Sequence, residues 1–227
     1  MRGWAKLLAV LLFAAWPSAA WCAGTLEIAP TTLDLTPGKA GLLYLANNGP
    51  AAAVIQLQTL DWTQNENANV LAPSETLIAS PPFLRIAPGQ RQIVRVLADE
   101  PGKHESEYRL LISELPNGAD AGASVSVLLQ FSVPVFAARA PAPPAPEWSA
   151  KAHDGKLDLM LRNGGASALK ITAISLASKP IPCGLTYVLP GARHVWTVPS
   201  DNAASLHIAA RDERSGTALD ADIPVQR

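Results

Sequence analysis

The side chains best suited to chemistry are few and widely separated. His104, His153, His194 and His207 have no second ligand at metal-binding spacing, so they read as solvated loop or strand-face residues. Asp154 and Asp158, and Asp220 and Asp222, stand close in sequence but read as surface or strand-edge carboxylates rather than acid/base pairs. No nucleophile elbow, phosphate-cradling glycine loop or zinc-hydrolase helix occurs. The residues therefore give no catalytic group, no metal site and no cofactor, and point away from an enzyme. Two cysteines, Cys22 and Cys183, are too few for a disulfide framework; a single bridge between them stays open, and Cys183 reads as a small buried hydrophobe. Trp148 and Trp196 are the aromatics that a sugar-binding module would use in the second half of the chain.

With 227 residues, 48% apolar and 16% charged, and 18 basic against 19 acidic side chains, the chain is neither a disordered segment nor a basic nucleic-acid binder. Arg2 and Lys6 precede an apolar run over residues 7–16, which Pro17 and the small residues Ser18, Ala19 and Ala20 follow. That order is a secretory signal peptide over residues 1–20, and the run is far short of the roughly 20 residues that a membrane helix needs. Bulky Trp21 before Cys22 argues against lipid attachment there. Removing Arg2 and Lys6 from 18 basic residues leaves 16 against 19 acidic ones, a net charge of −3. The expectation is an exported, soluble protein with no membrane insertion.

Twenty prolines argue against long helices, and short apolar runs punctuated by turn residues argue for strands. Residues 42–46, 54–58, 83–86, 92–97 and 107–115 read as strands of an antiparallel β-sandwich, and residues 157–161, 169–176 and 188–189 repeat the pattern more loosely. Four prolines within residues 139–147 mark a connector. The expected organisation is a first domain over residues 24–138, a Pro-rich linker over 139–146 and a second domain over 147–227. Leu45-Ala46-Asn47-Asn48-Gly49 matches Leu161-Arg162-Asn163-Gly164-Gly165, and Ala87-Pro88-Gly89 matches Leu189-Pro190-Gly191, in the same order. Such a repeat points to two related immunoglobulin-like modules, an all-β fold class.

One segment stands apart. Val125, Val127, Leu129, Phe131, Val133 and Val135 alternate with polar Ser124, Ser126, Gln130 and Ser132, the period of a strand with one apolar face. A strand over residues 124–136 is about twice the usual length and should run beyond its own sandwich. An exposed edge of this kind invites another chain, as self-association or as donation of the strand to a partner.

The order Asp61-Trp62, then Ser80-Pro81-Pro82-Phe83-Leu84-Arg85-Ile86-Ala87-Pro88-Gly89-Gln90-Arg91-Gln92-Ile93-Val94-Arg95-Val96, then Tyr108-Arg109 leading to Glu114-Leu115-Pro116, then Val133-Pro134-Val135-Phe136, resembles the N-terminal domain of periplasmic pilus-assembly chaperones of the chaperone/usher pathway. The Val-Pro-Val-Phe ending resembles the branch that serves spore-coat-U-like pilins. The resemblance implies two immunoglobulin-like β-sandwich domains set as a boomerang, with the last strand of the first domain lent to a pilus subunit that lacks one. It implies delivery of that complex to an outer-membrane usher, location in the periplasm, and no cofactor. The donated side chains correspond to Val125, Val127, Leu129 and Phe131.

The family's cleft arginine and lysine, which anchor the subunit's terminal carboxylate, correspond to Thr32 and Pro134, neither of which carries a charge. Arg85, Arg91 and Arg95 are the basic candidates for that task, and Arg95 has a second role open to it, since with Glu105 it corresponds to an interdomain charge cluster. Pro81 and Pro82 shape the entry to a strand, and a cis Ser80–Pro81 bond is compatible with the sequence.

Overall fold

The structure is a computed structural model that describes residues 26–36, 38–65, 68–99, 105–116, 127–138, 143–171, 174–176, 179–182, 186–199, 204–209 and 215–226. The expected signal peptide, Cys22, Cys183, His104, Val125 and Ser126 lie outside the described residues. Among the described residues every regular element is a strand, and no helix long and apolar enough to cross a membrane occurs there.

The first ten strands are β1 (Leu26–Ala29), β2 (Leu33–Leu35), β3 (Gly41–Asn47), β4 (Ala53–Asn65), β5 (Ala68–Pro73), β6 (Leu77–Ser80), β7 (Phe83–Ile86), β8 (Arg91–Ala98), β9 (Ser106–Leu115) and β10 (Gln130–Ala137). They form two facing sheets, β1-β3-β8-β6 and β2-β10-β9-β4-β5, with β7 pairing onto β4. Alternation sets the core: Leu43 and Leu45 of β3, Val94 and Val96 of β8, Leu110 and Ile112 of β9 and Val133 and Val135 of β10 all point between the sheets. The bonds Ala29–Pro30 and Ser80–Pro81 are both cis.

The remaining strands are β11 (Pro146–His153), β12 (Lys156–Asn163), β13 (Leu169–Ile171), β14 (Ile174–Leu176), β15 (Lys179–Ile181), β16 (Thr186–Val188), β17 (Arg193–Pro199), β18 (Ser205–Ala209) and β19 (Ala221–Gln226). A seven-stranded sheet, β15-β14-β18-β19-β11-β12-β17, packs with the pair β13-β16 around a second core that includes Leu157, Leu159, Leu161, Ile171 and Val188. The single strand expected over residues 169–176 is two strands, β13 and β14, in different sheets.

The motifs repeated in sequence meet in space in the same way twice. Asn47 is 1% exposed; its Nδ2 donates to the carbonyls of Ala51 (2.7 Å) and Ile86 (2.9 Å), and its Oδ1 accepts from Gly49 N–H (2.9 Å). Asn163, fully buried, bonds the carbonyls of Ser167 and Val188 and the Gly165 N–H in the same fashion. Gly89 N–H donates to Asn47 C=O and Gly191 N–H to Asn163 C=O, each at 2.8 Å. Both glycines hold φ near +70° (69° and 76°), which a side chain resists. Each asparagine thus ties a strand exit to a Pro-Gly turn by satisfying groups that would otherwise be buried unpaired. Replacing Asn47 by alanine is expected to cost about 3 kcal/mol, because it strands two carbonyls and an N–H. In urea, Asn47→Ala should lower only the first sandwich's transition and Asn163→Ala only the second's.

Candidate functional site

The site is built around β10 and begins with its main chain. Leu129 C=O accepts from Glu114 N–H at 2.8 Å, and Leu129 N–H donates to the Glu114 carboxylate at 3.3 Å, so the main-chain groups of residue 129 face β9. Main-chain direction alternates along a strand, so Phe131 and Val133 also face β9, opposite Ile112 and Leu110, while Gln130, Ser132 and Pro134 face the other way. On that side β2 runs parallel to β10 only from Val135↔Leu33 to Ala137↔Leu35. Among the described residues, nothing pairs with the Gln130 and Ser132 edge. Pro134 sits where the β2 pairing begins, and its missing N–H leaves no donor unpaired at the junction.

The side chains of β10 divide between two faces. Val133, Val135 and Ala137 are buried in the first core; Phe131 and Leu129 are half-covered at its open end, and Val127 is 79% exposed. The apolar row therefore continues past the sandwich that begins it. The strand is shorter than the thirteen residues expected: it starts at Gln130, and residues 127–129 are not strand. Its partner β9 ends at Leu115, and Pro116 cannot donate, so the ladder has no further rung among the described residues. The thirteen-residue strand is β4, which runs on past β9 to pair with β5.

On the opposite face Phe136 joins Trp62, Ala168, Tyr187 and Leu189 in a small buried cluster between the two sandwiches. Trp62 lies 5.3 Å from Tyr187 edge-on and 6.1 Å from Phe136, with ring centroids as the reference points. Arg109 is the cross-strand neighbour of Pro134 on β9, and its guanidinium stacks 3.7 Å from the Trp62 ring centre and 5.3 Å from that of Tyr187. Burial lowers its pKa from the usual arginine value, a fall that Tyr187 partly opposes. No described carboxylate forms an ion pair with it.

Thr32 is half-buried in the bend just before β2, one residue ahead of Leu33 as Pro134 is one ahead of Val135, so the parallel register brings these two positions together. They are uncharged, and the nearest cation along the ladder is Arg109. Arg85 on β7, Arg91 and Arg95 on β8 are exposed. Arg91 lines a shallow depression with Glu27, Ala29, Tyr44 and Ala46 on the outer face of the four-stranded sheet. Among the described residues Arg95 and Glu105 do not pair with each other: Glu105 accepts a hydrogen bond from Ala168 N–H of the second sandwich at 2.9 Å, while Arg95 pairs in the ladder with Leu42 and Ser80 and bonds no described residue through its side chain. Sheet topology explains the split: β8 belongs to the four-stranded sheet, whereas Glu105 leads into β9 of the sheet whose Trp62 and Phe136 pack on the second sandwich. Trp196 is 7% exposed and packs on half-buried Trp148, centroids 6.1 Å apart, so neither ring offers an open sugar platform.

A family model described as the N-terminal domain of the PapD pili and flagellar-assembly chaperones matches residues 25–141. The chain belongs to that chaperone family. Its match ends just past β10, so the open edge, Arg109 and Trp62 lie within it, while Tyr187 lies beyond it. Solved structures agree in fold. The chain is 20% identical to a chain of the CsuC–CsuE chaperone–tip adhesion subunit pre-assembly complex from the archaic chaperone-usher Csu pili of Acinetobacter baumannii, covering 90% of this chain and 100% of that one at a TM-score of 0.71. It is 16% identical to a chain of the Salmonella enterica SafA pilin–SafB chaperone complex, over 87% and 94% of the two chains at 0.64. The Pseudomonas aeruginosa CupB2 chaperone is 14% identical over 88% and 100% at 0.60. No curated protein sequence matches the chain.

Two functional candidates escaped sequence reasoning. Arg109 was visible only as part of a Tyr-Arg pair, and its cross-strand position beside Pro134 needs the β9–β10 register. Gln64, which bonds the second sandwich, carries no sequence signal at all.

Proposed function

We propose that this pilus-assembly chaperone holds a pilus subunit by adding β10 to the subunit's incomplete sandwich. The observation that carries the reading is the unpaired edge at Gln130 and Ser132, in line with an apolar row that emerges from the core through Phe131 and Leu129 to exposed Val127. Main-chain bonds to that edge give affinity for any strand, and the row gives burial. Completing the burial of three such side chains is worth several kcal/mol, at up to about 1.5–3 kcal/mol each, before ordering costs. Val125 extends the donated row in this reading.

Arg109 supplies the anchor that Thr32 and Pro134 lack. A subunit strand laid on the open edge ends where β2 begins, beside Pro134, and the guanidinium one strand away is a desolvated cation without a described counterion. A terminal carboxylate there would form charge-assisted hydrogen bonds in a water-poor site. The CsuC–CsuE and SafA–SafB structures, chaperones solved with their subunits, support the reading by likeness of fold. The protein acts in the periplasm after loss of residues 1–20, passes its subunit to an outer-membrane usher, and catalyses no covalent chemistry.

The test is to express the tagged chain in the periplasm of its source cells and identify co-purifying chains by intact mass and peptide sequencing. One stoichiometric, signal-processed, β-rich partner is expected. Recovery of the chaperone alone from cells that are making the pilin would overturn the reading.

A further inference from the structure

We propose that Gln64 is the positioning residue of the cleft: its side-chain amide holds the second sandwich in place through the backbone of residues 187–189. Gln64 lies near the end of β4, beyond the last residue paired with β9, and faces Asn69 across the β4–β5 ladder. Its Nε2 donates to Tyr187 C=O at 2.8 Å and to Asn69 Oδ1 at 3.1 Å, and its Oε1 accepts from Leu189 N–H at 2.9 Å. The Tyr187 carbonyl and the Leu189 N–H flank Val188, and they are the pair of groups that a parallel neighbouring strand would engage. One side chain of the first sandwich thus stands in for a strand residue of the second.

Only one orientation of the amide fits. Turning it over would set its oxygen against two acceptors, Tyr187 C=O and Asn69 Oδ1. Asn69 is itself fixed, because its Oδ1 also accepts from the Trp62 indole N–H at 2.9 Å, and an indole nitrogen can only donate. The network therefore runs from Trp62 through Asn69 and Gln64 to the backbone of residues 187–189. Tyr187 and Leu189 are 4% and 3% exposed, so the two main-chain groups have no ready access to water if the clamp is removed. Trp62 and Tyr187 are also the two rings around the Arg109 guanidinium. Holding residues 187–189 against Trp62 consequently fixes both walls of the box that aims the cation. Gln64 does this without lying on the open edge of β10 or on its apolar row. The link from this clamp to subunit capture rests on the function proposed above; the clamp itself does not.

The test uses the full mature chain with Gln64→Met, which keeps side-chain length and packing but cannot bond either main-chain group. The Leu189 amide should lose its protection from hydrogen exchange while the amides of β12 keep theirs. In small-angle scattering the radius of gyration and maximum dimension should rise, and the yield of the subunit that co-purifies with the wild-type chain should fall. Gln64→Glu, which retains the acceptor for Leu189 but turns a carboxylate oxygen toward Tyr187 C=O, should open the molecule as well and serves if the methionine variant folds poorly. Thr63→Val, on the exposed neighbouring residue, should change none of these. Wild-type Leu189 protection in folded Gln64→Met, or wild-type scattering in both folded Gln64 variants, would overturn the proposal. If those two readouts shift while Phe131→Glu leaves subunit capture intact, the clamp stands and strand donation falls.

Discussion

Replacing Phe131 by glutamate is expected to abolish capture of the subunit. Phe131 sits where the apolar row of β10 leaves the first core, half-covered by its own sandwich and open on the side where a partner would complete it. Burying the rest of the ring contributes part of the about 1.5–3 kcal/mol of a fully buried phenylalanine. A carboxylate in the same groove must shed its water without a partner, at a cost of several kcal/mol. At about 1.4 kcal/mol per factor of ten, the combined loss exceeds a hundredfold in affinity. Because Phe131 also touches the chaperone's own core, the variant should unfold earlier in urea, and that alone could lower the yield of complex. Val127→Glu separates the two effects. Val127 is 79% exposed, so its replacement should leave the unfolding midpoint within about 0.5 kcal/mol of the parent. Its capture should still fall, because the partner's groove receives it. Titrating purified subunit against each variant decides the matter: unchanged affinity in both would remove β10 from the binding surface.

The parts of this molecule that could be read from its sequence are those whose physics is local. Asn47 with Gly89, and Asn163 with Gly191, are turn residues whose types follow from the backbone they occupy, and their repetition revealed two kindred sandwiches. Strands with one buried face, such as β3, β8 and β12, show their alternation directly. By contrast β5 is exposed along its whole length, so it has no apolar period to detect, and β4 loses its alternation where it leaves β9 for β5 and the second sandwich. Sequence reasoning starts the donor strand too early because alternation continues through residues 127–129, which are not strand; where a strand begins depends on the strand beside it, here β9 stopping at Leu115. Sequence reasoning offers Arg95 an interdomain role and gives Arg109 none. Choosing between them required knowing which sheet faces the second sandwich, a property of topology that neither residue's neighbours in sequence encode.

Arg109 is where that topology has its largest consequence for charge. Arg109→Met keeps a long apolar stem over Trp62 and removes the cation. The guanidinium is desolvated without a described ion-pair partner, so its loss should leave the fold's stability unchanged or slightly higher. Subunit affinity should instead fall about 10- to 100-fold, the worth of a hydrogen bond to a charged group at about 1.5–3 kcal/mol. Wild-type affinity should weaken as salt rises, while that of the methionine variant should respond less. Arg109→Lys should fall between them, since an ammonium keeps the charge but cannot stack flat on the indole or present a planar fork. The carboxylate is identified by its own removal. A subunit extended at its C-terminus by a few uncharged residues should bind the wild-type chain about as weakly as the native subunit binds Arg109→Met, and combining the two changes should add little further loss. Losses that simply add would mean that Arg109 and the subunit's terminus act at separate places. The cleft's anchor would then have to be sought among Arg85, Arg91 and Arg95, which are exposed and lie farther along the sheets from Pro134.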